Sequence, residues 1–219
     1  MKIGIVGYGG RFGSAAMNYL GSRGISTIGI HGREFNDRFM DEVDFAILAV
    51  PVSAALSMIQ GSSQREKLIE ISSVKRPFKK YAGEIISIHP LFGPLTIGNE
   101  SFRDIVHVSD LSVEGSEGIV SGIFPDSVMR SMTADDHDRL MSDLLVKPYI
   151  LSIIGHEMGW ESHDVKTGSF LKFQSVASIL DSESPDVLMD TIRLNPYSAD
   201  VLQSALRALN SIIGSPKDR

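Results

Sequence analysis

The N-terminal run KIGIVGYGGRFGSAAMNYL constrains this chain more than any other feature. Lys2 to Gly7 is short and almost wholly apolar, the pattern of a strand covered on both faces. Glycines stand at positions 7, 9, 10 and 13, and SAAMNYLGSRG then keeps helical spacing to a terminating glycine. A strand that turns through glycines straight into a helix brings the helix's first amides to the strand end, where they attract an anion such as a pyrophosphate. The regular G-x-G-x-x-G spacing is not met, because Phe12 stands where the last glycine belongs when Gly7 is the first. The order of strand, turn and helix therefore carries the assignment of Gly7, Tyr8, Gly9, Gly10, Arg11, Phe12 and Gly13 to a dinucleotide site.

The chain then repeats the theme. STIGIHG (26–32), DFAILAV (44–50), KLIEIS (67–72), EIISIH (84–89) and DIVHVS (104–109) read as strands, with SAALSMIQ and EGSEGIVSGIF as helices among them. Such alternation predicts an α/β fold built on a doubly wound, mostly parallel sheet. At the end of the second strand an acid selects a ribose hydroxyl and an arginine accepts a 2′-phosphate. Arg33 stands there with Glu34 beside it, which favours NADP and keeps NAD as the alternative. Ala49, Val50 and Pro51, closing the third strand, are expected on the cofactor side.

From Thr133 the pattern becomes helical. A long helix is predicted over 133–160, opened by Thr133 and Asp136 as a capping box and kinked at Pro148. Further helices are expected over 164–180, 185–194 and 196–214. The expected domains are thus 1–132, dinucleotide-binding, and 133–219, smaller and all-helical. These helices are apolar on more than one face and too few to bury themselves, so a homodimer through them is expected, with packing on the chain's own sheet as the alternative.

With 42% apolar and 22% charged residues the chain is an ordinary globular protein, and a net charge of −6 argues against general nucleic-acid binding. It has no cysteine, which excludes disulfides, thiolate metal sites and a thiol nucleophile. The most apolar window, VDFAILAVPVSAALSMI, is broken by Asp44 and Pro51, so neither a signal peptide nor a membrane span is expected and a cytoplasmic location is. The 6 histidines lack the i, i+4 pair of a zinc helix, and no metal site is expected.

Three further segments, ISSVK (71–75), SIHPLFGP (87–94) and TADDHDRLMSDLL (133–145), join the glycine turn and DFAILAVP in an order that resembles the prephenate/arogenate dehydrogenase family of tyrosine biosynthesis. The resemblance spans most of the first 145 residues and, more loosely, the helical remainder. It implies a Rossmann-like domain, a helical substrate and dimerisation domain, and an NAD(P)-dependent oxidative decarboxylation of a small anionic substrate. On that likeness His89 is the base that draws the proton from the substrate hydroxyl, and Ser73 orients substrate and nicotinamide. Lys75 brings positive charge to the substrate, and His137, beside Asp138, shapes its site. Bland readings stand against each: Ser73 as a cap, Lys75 as part of a solvated basic face with Arg76, Lys79 and Lys80, and His137 as a surface partner of neighbouring aspartates.

The sequence also departs from the family. Tyr149 stands where relatives carry a second histidine, Leu145 where a glutamine is common, and Ser175 where an arginine clamps a carboxylate. Tyr149 and Lys172 are the substrate-binding candidates left in that region. A related oxidoreductase of another small acid, or a dinucleotide-binding regulatory protein without turnover, are the competing readings.

Overall fold

The computed structural model describes residues 1–98, 103–159 and 163–214. The chain divides into two compact units, Met1–His137 and Asp138–Arg219. The division falls inside a helix, past the expected boundary at 132, so the first helical turn after Thr133 belongs with the sheet.

The first unit holds β1 (Lys2–Val6), α1 (Arg11–Ser22), β2 (Ser26–Ile30), α2 (Asp37–Met40), β3 (Phe45–Leu48), α3 (Val52–Gly61), β4 (Leu68–Glu70), β5 (Ile86–Pro90), β6 (Asp104–Val108), α4 (Ser116–Ile123), β7 (Val128–Met132) and the start of α5 (Ala134–Met141). Seven strands form one sheet in the order β2-β1-β3-β4-β5-β6-β7. Neighbours from β2 to β5 are parallel, β5 and β6 run antiparallel, and β6 and β7 are parallel again. A parallel return needs a crossover, usually a helix. The antiparallel β5 and β6 need none, and no helix lies among the described residues between them. β7 was not expected from the sequence: VMRSM is mostly exposed, and the strand exists as an edge paired to β6.

Alternation along the strands builds two apolar layers. Ile3, Ile5, Ile47, Ile69, Ile86 and Ile88 meet α1 and α4 through Tyr19, Leu20, Val120 and Phe124. Val6, Ala46, Leu48 and Leu68 face α2, α3 and a 3-10 turn at Arg76–Tyr81, through Phe39, Ala55, Ile59 and Phe78. By the same alternation Glu70, Ser87 and His89 point to this second side.

The second unit continues α5 and contains α6 (Lys147–Glu157), α7 (Gly168–Ala177), α8 (Ile179–Ser182), α9 (Pro185–Leu194) and α10 (Ser198–Ile213). The predicted helix over 133–160 begins as expected: the Thr133 hydroxyl accepts the Asp136 amide at 3.1 Å and donates to its carboxylate at 2.7 Å. Its last residue, Trp160, lies outside the described residues. Pro148 does not make a simple kink. Ser142–Val146 widens into a π-helix, with the Lys147 amide donating to the Ser142 carbonyl, and α6 restarts with the proline in its first turn, where a missing N–H costs nothing. Val146, Tyr149, Ile150, Leu188 and Ile192 form this unit's core. No helix among the described residues is long and apolar enough to cross a membrane.

Candidate active site

The glycine turn stands at the point where the sheet changes direction, since β2 lies on one side of β1 and β3 on the other. Open parallel sheets place ligands at the carboxyl ends of strands at such a point. Two of the glycines are required by space and by dihedral angle. Gly7 has φ 86°, and a side chain there would collide with the Ala49 carbonyl at the end of β3. A side chain on Gly13 would collide with the Gly7 carbonyl. The Gly10 amide donates to that carbonyl at 2.9 Å, which closes the turn. Gly9 and Gly10 are exposed, and no side chain caps the first turn of α1. The Tyr8 ring packs on His31 with centroids 4.9 Å apart. Arg11 is exposed, Phe12 half-buried; the turn has the bare, close-approach backbone that a pyrophosphate needs.

Beside it opens a cleft of about 740 Å³, lined by Gly32, Arg33, Asn36, Val50, Pro51 and Met58 among others. Here the two residues that bear on cofactor choice separate. The Glu34 carboxylate accepts the His31 amide at 3.0 Å and so closes the short turn that follows β2. Arg33 borders the cleft and makes no ion pair with any described residue.

Along the same end of the sheet comes His89, on β5. Its Nδ1 lies 3.0 Å from Nε2 of His137, the rings meeting edge to face. His137 has no exposed surface and His89 only 9%. The remaining nitrogen, His89 Nε2, makes no hydrogen bond with any described residue and is not enclosed, so this is the atom offered to a ligand. Burial, and after it the facing His137 and the Lys75 ammonium, push the His89 pKa well below the ordinary 6.5; burial and then Lys75 push that of His137 down to about 2. Both rings are neutral at pH 7. The unperturbed basicity expected of His89 is thus replaced by a neutral imidazole, whose Nε2 accepts or donates according to its tautomer.

Lys75 is neither on a solvated face nor at the surface of a substrate pocket. It is fully buried, donating to Glu70 Oε1 at 2.6 Å and to the Ile88 carbonyl at 2.7 Å. Ser87 also donates to Glu70, and the Ser72 amide donates to Glu70 Oε2 at 2.9 Å. An ion pair thus sits beneath β5 and fixes the strand end that carries His89. His137 is likewise not at the surface, having no exposed area. Ser73 lies half-buried in the loop after β4, at the same end of the sheet.

In the second unit, Tyr149 belongs to the apolar core with 5% exposure, and burial raises its phenol pKa, with Glu183 adding to the rise. The residue expected at the substrate thus packs in this unit's core. Lys172 is exposed on α7, and Ser175 is exposed one turn on.

Glu70 and Ser87 were not singled out in the sequence. The signal was present: a carboxylate inside the apolar strand KLIEIS requires a buried partner, and Lys75 follows five residues later.

No protein-family model matches the sequence, and no curated protein matches it significantly. Solved structures do resemble it in fold. An arogenate dehydrogenase from Synechocystis aligns with a TM-score of 0.66 at 17% identity, over 97% of this chain and 91% of its own. A prephenate dehydrogenase from A. aeolicus, in complex with hydroxyphenyl propionate and NAD+, gives 0.68 at 15% identity, over 96% and 88%. An imine reductase variant from Myxococcus stipitatus in complex with NAD+ gives 0.51 at 14%, over 94% and 74%. At these identities the shared property is the fold, the Rossmann-like sheet with a helical second unit.

Proposed function

We propose that this chain is a nicotinamide-dependent dehydrogenase that oxidatively decarboxylates prephenate or arogenate, with NADP as the favoured cofactor. The observation that carries the reading is the neutral, unpartnered Nε2 of His89 at the same sheet end as the glycine turn. The residues fit a dinucleotide: Gly7 and Gly13 let the turn close tightly on its own backbone, Gly9 and Gly10 leave that backbone exposed, the first turn of α1 lacks a side-chain cap, and Arg33 borders the adjoining cleft. Such a cofactor supplies the hydride acceptor.

His89 accepts the substrate hydroxyl at Nε2 and takes its proton as the C–H pair departs as hydride. The bond to the ring carboxylate then breaks, carbon dioxide leaves, and that bond's electrons make the ring an aromatic phenolate, which takes the proton back from His89 to become the phenol. Ser73 orients the hydroxyl. Arg33 meets the 2′-phosphate, since Glu34, the acid that would favour an unphosphorylated ribose, is held by the His31 amide. The exposed apolar residues Leu202, Leu206, Leu209 and Ile213 of α10 recur at helical spacing and support a homodimer through the second unit.

A second reading, an oxidoreductase of another small acid, is favoured by Tyr149 being core and Ser175 a neutral exposed residue. Incubating the protein with prephenate or arogenate and either cofactor, while following reduced nicotinamide, decides between them. Turnover with one of the four pairs supports the first reading; silence with all four, and turnover with another hydroxy acid, supports the second.

A further inference from the structure

We propose that His137 is a positioning residue that accepts the Nδ1–H of His89, so that His89 is held as the Nδ1-protonated tautomer with a bare lone pair on Nε2. The inference rests on the reading of His89 as the base that meets a substrate hydroxyl. It goes beyond that reading because it assigns the state of His89 before any ligand arrives.

Geometry supplies the coupling. One proton lies between His89 Nδ1 and His137 Nε2, which are 3.0 Å apart. Two neutral imidazoles sharing it have only two arrangements: both carry their proton on Nδ1, or both carry it on Nε2. In the second, His89 Nε2 is a donor and cannot take a proton from a hydroxyl. The choice at His137 is therefore the choice at His89. The ring centroids lie 5.1 Å apart, as expected for two imidazoles joined nitrogen to nitrogen, and His137 is wholly buried, so bulk water does not replace it.

The partner ring is firmly held. Its residue sits in the first turn of α5, where its amide donates to the Thr133 carbonyl at 2.9 Å. Thr133 and Asp136 cap that turn, and the Ala134 amide donates to Asp110 at 2.7 Å. On the other side the Lys75–Glu70 pair anchors β5 through the Ile88 carbonyl, next to His89 in the chain. The ammonium also works against a second positive charge, which keeps the pair neutral rather than protonated on both rings. When the substrate hydroxyl gives up its proton, the O–H bond breaks and an N–H forms on His89 Nε2, while His89 Nδ1–H stays directed at His137.

The test is a long-range proton–nitrogen correlation NMR spectrum of the uniformly ¹⁵N-labelled full chain, without ligand, near pH 7, with His89 assigned by comparison with His89→Asn. The expected result is the Nδ1–H pattern for His89. In His137→Gln, whose side-chain oxygen still offers an acceptor, the pattern persists; in His137→Leu it shifts toward the Nε2–H form preferred in water. Turnover, where present, follows: kcat falls by at least about tenfold in the leucine variant and is largely restored by glutamine, with KM for the cofactor unchanged. An Nε2–H pattern in the wild type, or a His137→Leu spectrum identical to it, overturns the inference. The spectrum needs no substrate, so its outcome is independent of whether the proposed reaction occurs. Should His137→Leu fail to fold, the wild-type and glutamine spectra still decide.

Discussion

The buried ion pair under β5 makes the sharpest claim at the scale of single residues. Lys75 and Glu70 have no exposed surface, and removing one member of such a pair is far more harmful than replacing both. Glu70→Ala is expected to lower stability by about 3–5 kcal/mol in chemical denaturation, and Glu70→Gln by less, because it keeps an acceptor for Lys75 and Ser87. The two imidazoles add a pH dependence. Their folded pKa values lie below the unfolded 6.5, so the unfolded chain binds more protons in acid. The stability they contribute is complete above pH 6.5 and is lost as the pH falls from there, for His137 down to about 2, with a limiting slope of about 1.4 kcal/mol per pH unit for each ring. Unfolding free energies measured between pH 7 and pH 5 are expected to decline, and less steeply in His137→Gln. His89 and His137 were visible in the sequence through their motifs, but their hydrogen bond was not. It joins residues 48 positions apart, on a strand and a helix whose approach depends on the sheet. The role of Lys75 was hidden for the complementary reason. A lysine in a basic run reads as solvated unless the carboxylate above it in KLIEIS is matched to it.

At the scale of elements, the strand, turn and helix at the N-terminus needed only local chemistry, and they form where the sequence places them. Gly13→Ala forces a methyl group into the Gly7 carbonyl, and Gly7→Ala adds a left-handed angle costing about 1–3 kcal/mol to its collision with Ala49. Both are expected to abolish binding of NADP and NAD in calorimetric titration, and Gly7→Ala to lower thermal stability as well. Arg33→Ala acts differently. It is expected to weaken NADP by roughly 10- to 100-fold while leaving NAD unchanged, the size of one charge-assisted contact to a phosphate. Equal effects on both cofactors would remove the role given to Arg33. Elements whose form is set by partners were harder to read. β7 has little apolar character and owes its existence to the β6 edge, and the π-helix before Pro148 is an accommodation between a proline and a continuing helix that periodicity does not encode.

For the whole molecule, the division into a sheet unit and a helical unit was legible in the change of pattern at Thr133. The exact junction was not, because α5 is one continuous helix and the first unit claims its first turn. The apolar positions of α10 predict self-association. Sedimentation of the wild-type protein is expected to give a dimer, and paired Leu206→Glu and Leu209→Glu substitutions to give a monomer. The central claim is that this fold delivers a dinucleotide to the bare nitrogen of His89. The most direct test follows nicotinamide reduction with NADP and prephenate or arogenate, comparing the wild type with His89→Asn. The predicted result is turnover that falls by about 10²- to 10⁴-fold in the variant while cofactor affinity is preserved; turnover equal in both proteins contradicts the claim.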